Sequence, residues 1–458
     1  MTQDKKNPFA HELVYQIHDR PSAPIAFLAA LQHLLAIIVP IITPGFIICS
    51  AAGLSPQDTA MVLSMSLVIS GVATFFQCKK IGPLGAGLLI VQGTSFNFVG
   101  PLSAGAAVMV ASGHSAHEVM ATIFGVVIAG SFIEMTVSRI LPFIKKMITP
   151  LVTGIVVLLI GLTLIKEGLI SMGGGYASMG PQGSFASLEN LSLSCSVFIL
   201  IILFNRVNIA WVRSSAIILA LIIGYGIAGF LGRLDFSGFE NSAIFALPSP
   251  MHFGLSFSWS LFIPLIIIYL VTSLEAVGDI TATSKISGEP VSGPLWMRRI
   301  KGGVLVNGAN SLLAGVFNTF PSSVFAQNNG IIQLTGLASR YIGLWIAVIL
   351  IIMGLFPKIA ALIQAMPEPV LGGAAMIMFG SVAASGINIL SAIQLDRRAL
   401  LIIAIALAVG VGVPQVPDFV AHLPSWLADI LKSGLAAGGI TAIVLNLVLP
   451  ETQKSVEE

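Results

Sequence analysis

The sequence predicts an all-α polytopic membrane protein of fourteen transmembrane segments, and three observations carry that prediction. Hydrophobic residues make up 56% of the 458 and charged residues only 9%, with a mean hydropathy of +0.96, a balance far from that of a soluble domain. Apolar runs long enough to cross about 30 Å of hydrocarbon recur along the whole chain. Threaded through a membrane in order, those runs put eighteen of the 22 Lys and Arg residues on one side and only Lys166, Arg233, Lys358 and Lys432 on the other. That asymmetry is the signature of an inner-membrane protein whose basic side is cytoplasmic.

The expected spans fall near 25–50, 60–77, 84–111, 118–138, 147–165, 193–205 and 214–232, then near 256–277, 302–320, 322–337, 341–356, 368–385, 399–413 and 434–450. An even total returns both termini to the cytoplasmic side, as tails over 1–22 and 451–458 around a membrane domain over 23–450. The cytoplasmic connections hold Lys79-Lys80, Arg139 with Lys145 and Lys146, Arg206 with Arg213, Lys285 with Arg298, Arg299 and Lys301, Arg340, and Arg397-Arg398. The Gly/Ser/Met-rich stretch 168–192 contains no Lys or Arg and reads as an outside loop. The start of the chain lacks the basic onset, short apolar run and cleavage site of a signal peptide. Cys49, Cys78 and Cys195 are scattered without CxxC spacing, so neither a metal site nor a disulfide framework is indicated.

Two features point to duplication and to a site. Pro150-Leu-Val-Thr-Gly154 followed by Gly161 matches Pro369-Val-Leu-Gly-Gly373 followed by Gly380, always 219 residues apart. Seven spans per repeat force the second copy, about 256–450, to insert upside down relative to the first, about 23–233. Such inverted repeats are the usual architecture of secondary transporters, with the substrate at mid-membrane. The third span of each half is broken: Gly82-Pro-Leu-Gly-Ala-Gly87 into Gln92-Gly-Thr-Ser-Phe-Asn97, and Asn318-Thr-Phe-Pro-Ser-Ser323 into Gln327-Asn-Asn-Gly330. Irregular backbone at that depth is tolerated only where it lines a protected cavity, and paired interruptions mark a transporter's binding site.

Few polar side chains lie in the apolar spans. Glu275 and Asp279, spaced i and i+4, share one helical face, and an intramembrane acid is a functional candidate by default. Desolvation and a like-charged neighbour both favour the protonated form, so the pair suits proton uptake; the competing reading has Asp279 at the interface, capping the next segment. His33 in the first span is either a structural histidine bonded between helices or part of the proton path. Asn307 and Asn310 in the ninth span read as interhelical glue or as site groups. Gln327, Asn328 and Asn329 present donors and acceptors in a plane, which suits the edge of a heterocycle, and Phe96 offers an aromatic face for stacking. No esterase, zinc-protease or P-loop pattern occurs, so neither an enzyme nor a cofactor or metal is expected.

Gln327-Asn-Asn-Gly-Ile-Ile-Gln-Leu-Thr-Gly336 resembles the signature of the nucleobase–ascorbate transporter family. Residues 273–283, Gln32-His33 and Gln92-Gly-Thr-Ser-Phe96 are also similar to that family, and the resemblance runs from Ala23 to Pro450, nearest to the bacterial xanthine permeases. It implies a core of segments 1–4 and 8–11 and a gate of segments 5–7 and 12–14, with segments 3 and 10 each a short strand plus a half-helix. It implies that Glu275 and Gln327 bind the base edge, that Phe96 stacks, and that groups at Ser95, Ala326, Asn328 and Gly330 complete the site. Asp279, His33 and Asn307 would serve coupling or support, and Ser95, Gln327 and Gly336 selectivity. It further implies a proton- or sodium-coupled homodimer that takes an oxidised purine, with no nucleic-acid partner.

Two departures bear on this. Many relatives carry an acid where this chain has Asn307, which cannot titrate. Some xanthine-selective relatives carry Asn where Ser95 stands, leaving room for urate. The expectation is therefore proton-coupled xanthine uptake, the alternatives being a urate or broader purine/uracil permease, or sodium coupling. An anion transporter of the same architecture lacks a cationic side chain at either break, a membrane enzyme lacks a nucleophile–base pair or metal cluster, and a channel fits a two-repeat interior with one buried acid less well than alternating access.

Overall fold

A computed structural model describes residues 13–450 except 148, 180–182, 210–211, 213–215, 237–238, 241–242, 326, 392, 421, 424–426, 429–430 and 432–433. The chain is mostly helical. Its first half runs α1 (Ala23–Ala51), α2 (Pro56–Lys79), strand β1 (Gln92–Thr94), a 3-10 turn (Phe96–Phe98) leading into α3 (Val99–Ala111), α4 (Ala116–Met147), α5 (Pro150–Gly173), α6 (Leu188–Arg206) and α7 (Ala216–Phe230). Its second half runs α8 (Trp259–Ile286), α9 (Gly293–Val316), β2 (Ser322–Val324), α10 (Gln327–Thr335), α11 (Arg340–Gly354), α12 (Pro357–Gln364), α13 (Glu368–Ser391), α14 (Arg397–Gln415) and α15 (Gly434–Val448). Among the described residues, eight helices are long and apolar enough to cross a membrane, which makes this a multi-pass membrane protein.

Helix starts follow local chemistry. Ser55, Thr149, Ser187 and Asp396 each accept a hydrogen bond from a backbone N–H of the first turn, satisfying donors that no intrahelical carbonyl reaches. Pro40 and Pro44 lie inside α1, and Thr43 Oγ1 donates to the Val39 carbonyl at 2.9 Å, one of the side-chain bonds through which membrane helices tolerate proline. At the far end of the chain, Arg398 donates to the Asn446 and Leu449 carbonyls at 2.6 and 3.1 Å and closes the end of α15. Gly85 N, just past α2, donates to the Gly302 carbonyl of α9 at 3.0 Å, which brings Lys80 near Arg298 and Arg299; burial and those two charges push the Lys80 ammonium below its ordinary pKa.

Three helix pairs make the principal contacts: α5 with α13, α4 with α9, and α2 with α11. Small residues admit each close approach. A Cβ on Gly161 or Gly386 would strike the backbone of Ala383 or Leu158 across the α5–α13 contact, and one on Gly71 or Gly354 that of Ala347 or Ser64–Val68 across α2–α11. By contrast α6 and α14 lie at the periphery, largely exposed along their length, whereas α2 is largely buried.

Several expectations are adjusted. The ninth span begins nine residues early, at Gly293, because Arg298, Arg299 and Lys301 extend the helix toward the basic end. For the same reason α9 is not among the eight apolar helices. The short helix α12 was not anticipated from the sequence. Residues 13–20, read as part of a tail, are docked: Val14 N and Tyr15 N donate to the Gly336 carbonyl at 2.9 and 3.2 Å, and Ser339 Oγ to the Asp19 carbonyl at 2.6 Å. Residues 1–12 and the tail over 451–458 lie outside the described residues.

Candidate functional site

Strand β1 pairs antiparallel with β2, Gln92 opposite Val324, Gly93 opposite Ser323 and Thr94 opposite Ser322. Both three-residue strands are fully buried. The ladder continues at its ends through Ser95 N to the Pro321 carbonyl at 2.9 Å and Phe325 N to the Val91 carbonyl at 3.0 Å, so backbone freed from helical bonding is satisfied deep in the protein. Glycine is required at position 93, where a Cβ would fall 2.7 Å from Ile41 Cγ1 and collide with the Phe325 ring.

Side chains from α2 and α9 hold the strands from behind. Thr74 Oγ1 accepts from Gln92 N at 3.2 Å, and the Gln92 amide donates to Asn307 Oδ1. Asn310 Nδ2 donates to Ser322 Oγ at 2.6 Å. Asn307 and Asn310 therefore each tether a different strand to one helix, which supports the glue reading. Their remaining polar atoms, Asn307 Nδ2 and Asn310 Oδ1, have no partner among the described residues.

Beyond the strands, Asn97 in the 3-10 turn donates through Nδ2 to Glu275 Oε2 at 2.7 Å and to Thr272 Oγ1 at 3.2 Å. This joins the turn after β1 to α8, one helical turn of which presents both acceptors. Glu275 and Asp279 are half-buried on the same face of α8, and neither has an ion-pair partner among the described residues. Asp279 lies seven residues before the end of α8, so it does not cap the next segment. Phe96, 8% exposed, meets Phe379 of α13 edge to face at 5.7 Å. Ser95 beside it is buried with its hydroxyl unpartnered.

The stretch from β2 into α10 faces the same helix. Thr283 Oγ1 of α8 donates to Asn329 Oδ1 at 2.6 Å, and Asn328 Nδ2 to the Leu89 carbonyl at 2.7 Å. His33 of α1 is buried against the Asn328 amide without a well-formed hydrogen bond; both ring nitrogens and Asn328 Oδ1 are unpartnered. Gln327 begins α10, but its side chain, like all of Ala326, lies outside the described residues; Gly330 contributes backbone within α10. Gly336, at φ +69°, ends that helix and receives the docked N-terminal segment. The structure thus gathers Glu275, Asp279, Ser95, Phe96, His33, Asn328 and Asn329 around α8 and the two strand ends, with Asn307 behind them and Gly336 at the far end of α10.

Sequence reasoning missed Asn97, a single amide in the first break without a spacing pattern. It also missed Glu134 of α4, fully buried with Ser311 Oγ donating to it at 3.2 Å, whose only sequence signal is an acid in an apolar run. Two further acids of this kind are Glu167, buried near the end of α5, and Glu368, half-buried at the start of α13. Among the described residues, no cluster of three His, Cys, Asp or Glu side chains is placed to hold a metal.

Comparison with known proteins agrees with this architecture. The cyanobacterial bicarbonate transporter BicA transmembrane domain superposes with a TM-score of 0.59 at 14% identity, covering 94% of this chain and 99% of that one. Murine Slc26a9, an anion transporter, gives 0.59 at 12% identity over 94% of this chain and 69% of its own. At such identities the likeness is one of fold, that of a membrane transporter. In sequence, xanthine permease XanP of Escherichia coli K12 is 51% identical over 440 residues, 96% of this chain and 95% of its own. Xanthine permease XanQ of the same strain is 41% identical over 97% and 95%, and uric acid permease PucJ of Bacillus subtilis 34% over 92% of each. The profile of the permease family Xan_ur_permease matches residues 24–419, and the chain belongs to that family, the nucleobase–ascorbate transporters.

Proposed function

We propose that this protein takes up xanthine, an oxidised purine base, by proton-coupled alternating access across the bacterial inner membrane. The observation that carries the reading is the contact of Asn97 with Glu275 at 2.7 Å, which sets an acid of α8 beside two strand-to-helix breaks. It joins the 51% identity to a xanthine permease over nearly the whole chain. Glu275 and Gln327 bind the base edge, Phe96 stacks on it, and backbone groups around Ser95, Ala326, Asn328 and Gly330 complete the site. Ser95, Gln327 and Gly336 set selectivity. Asp279 exchanges the coupling proton with Glu275, with His33 and Asn307 in support.

In this reading the chain forms fourteen segments in two inverted repeats, β1 with α3 and β2 with α10 being the broken third and tenth. Reciprocal packing supports it: α4 on α9 and α2 on α11 are equivalent pairs under a two-fold exchange of the halves, and α5 on α13 is its own equivalent. Segments 1–4 and 8–11 form the core and 5–7 and 12–14 the gate, in a homodimer with both termini cytoplasmic. A urate-accepting variant of this function is favoured by the unpartnered Ser95 hydroxyl beside Phe96.

Radiolabelled xanthine uptake in membrane vesicles, with proton and sodium gradients imposed separately, tests the proposal. Uptake is expected to rise with an inward proton gradient, collapse with a protonophore and ignore sodium, and Asp279→Asn to stop accumulation while leaving binding. Sodium-driven uptake that survives a protonophore overturns the coupling. Substitutions at 95 or 327 should re-rank xanthine, urate and uracil as competitors; equal scaling of every base removes both from the selectivity set.

A further inference from the structure

At the end of the bundle away from the basic face, two acids that the site does not use lie where α5 and α13 meet α1 and α3. Glu368, the first residue of α13, accepts from Ser50 Oγ at the end of α1 at 3.0 Å and from Ser171 Oγ of α5 at 3.5 Å. The loop after α5 closes over this carboxylate at Gly175, whose φ of +81° suits glycine and whose Cβ would overlap it. One turn before Ser171, Glu167 is 3% exposed and accepts from the Tyr176 hydroxyl at 2.9 Å, and Ser103 of α3 borders both groups. Burial and the Glu167 carboxylate push the Tyr176 hydroxyl up from its ordinary pKa, so it remains a donor.

We propose that Glu368 is a positioning residue for transport, the carboxylate through which the core, at Ser50, is latched to the gate, at α13 and Ser171, on the outer side. The inference rests on the core-and-gate reading above. Its physical ground is the contrast between the Ser50–Glu368 contact, which joins core to gate through polar groups, and the α5–α13 contact within the gate, which is glycine against apolar side chain or backbone. Glu368 is half-buried, and drawing a carboxylate even partly out of water is costly unless its hydrogen bonds are made. A surface that must part in every cycle is better joined by serine–carboxylate bonds, because water replaces them when they break. The N-terminus of α13 favours the negative charge.

Breaking the latch raises the population open to the outside, and apparent affinity scales with the competent fraction. In Glu368→Gln the outside KM for xanthine should therefore fall severalfold, toward tenfold for loss of a charge-assisted bond, while Vmax does not rise. Ser50→Ala, which leaves the acid in place, should lower KM in the same direction by a smaller factor, and reads the latch even if Glu368→Gln fails to reach the membrane. Independently, Ser103→Cys in a Cys195→Ser background should react about tenfold faster with a membrane-impermeant maleimide when Glu368→Gln is added. An unchanged KM with reduced Vmax, together with unchanged labelling, reduces Glu368 to a packing residue and overturns the proposal. Failure of the functional reading is distinct: the unaltered protein would then take up no xanthine, while the labelling comparison still decides the latch.

Discussion

Along α5 and α13, Gly154, Gly161, Gly372 and Gly386 lie against backbone or apolar side chains of the partner helix. Around β1 and β2, the close approach is mediated instead by Gln92, Asn97, Asn307, Asn310 and Asn328, each with a bond to a different element. Both regions are buried and both join the two halves of the chain, yet only the second contains unpartnered polar atoms, on His33, Ser95, Asn307, Asn310 and Asn328. Helix on helix needs only small residues, because all backbone bonds are internal to each helix. Strand ends and half-helices expose backbone and side-chain polarity that must be met by neighbours or by a solute. The polar region is therefore where a hydrogen-bonding ligand belongs.

Substitutions in each region sharpen the contrast. The largest effect is expected from Glu275→Gln, which replaces charge-assisted acceptors worth about 1.5–3 kcal/mol per bond. Xanthine uptake should fall about 100-fold or more with normal amounts of protein in the membrane; wild-type uptake would remove Glu275 from the site. Gly161→Leu should do the reverse, damaging the fold: overpacking costs about 1–3 kcal/mol, and here the obstacle is the backbone of Ala383. The expected result is a lowered thermal midpoint in detergent and depleted membrane protein. Undiminished stability would show that α5 and α13 separate more freely than the contact suggests.

Asn97→Ala comes next, removing the amide that orients Glu275, with an expected loss of roughly tenfold in uptake and no change in thermal midpoint. A thermal loss without a kinetic one would move Asn97 from the site to the scaffold. Asn310→Ala should be mildest. It removes one neutral hydrogen bond to β2, about 1 kcal/mol, and a severalfold effect confined to stability would confirm α9 as a tether.

Much of the helical layout was legible because hydrophobic length and charge asymmetry are local properties. The runs near 60–77, 193–205 and 399–413 became α2, α6 and α14 within a few residues. The early start of α9 and the existence of α12 were not legible, since both depend on polar or amphipathic residues at a membrane boundary. Within the site, Glu275, Asp279 and Phe96 stood out by residue type in an apolar context, whereas Asn97 did not. Its partner lies 178 residues away, and no spacing rule connects an amide in a break to an acid in a distant helix.

By itself the sequence determined that this chain crosses a membrane many times and which end of each run is basic. These follow from transfer free energy and charge, which act residue by residue. Only the tertiary structure decided that β1 pairs with β2, that α9 ties both strands, that Asn97 reaches Glu275, and that Glu368 is held by Ser50. Each of those contacts joins residues distant in sequence, and their geometry is fixed by how the helices pack against one another.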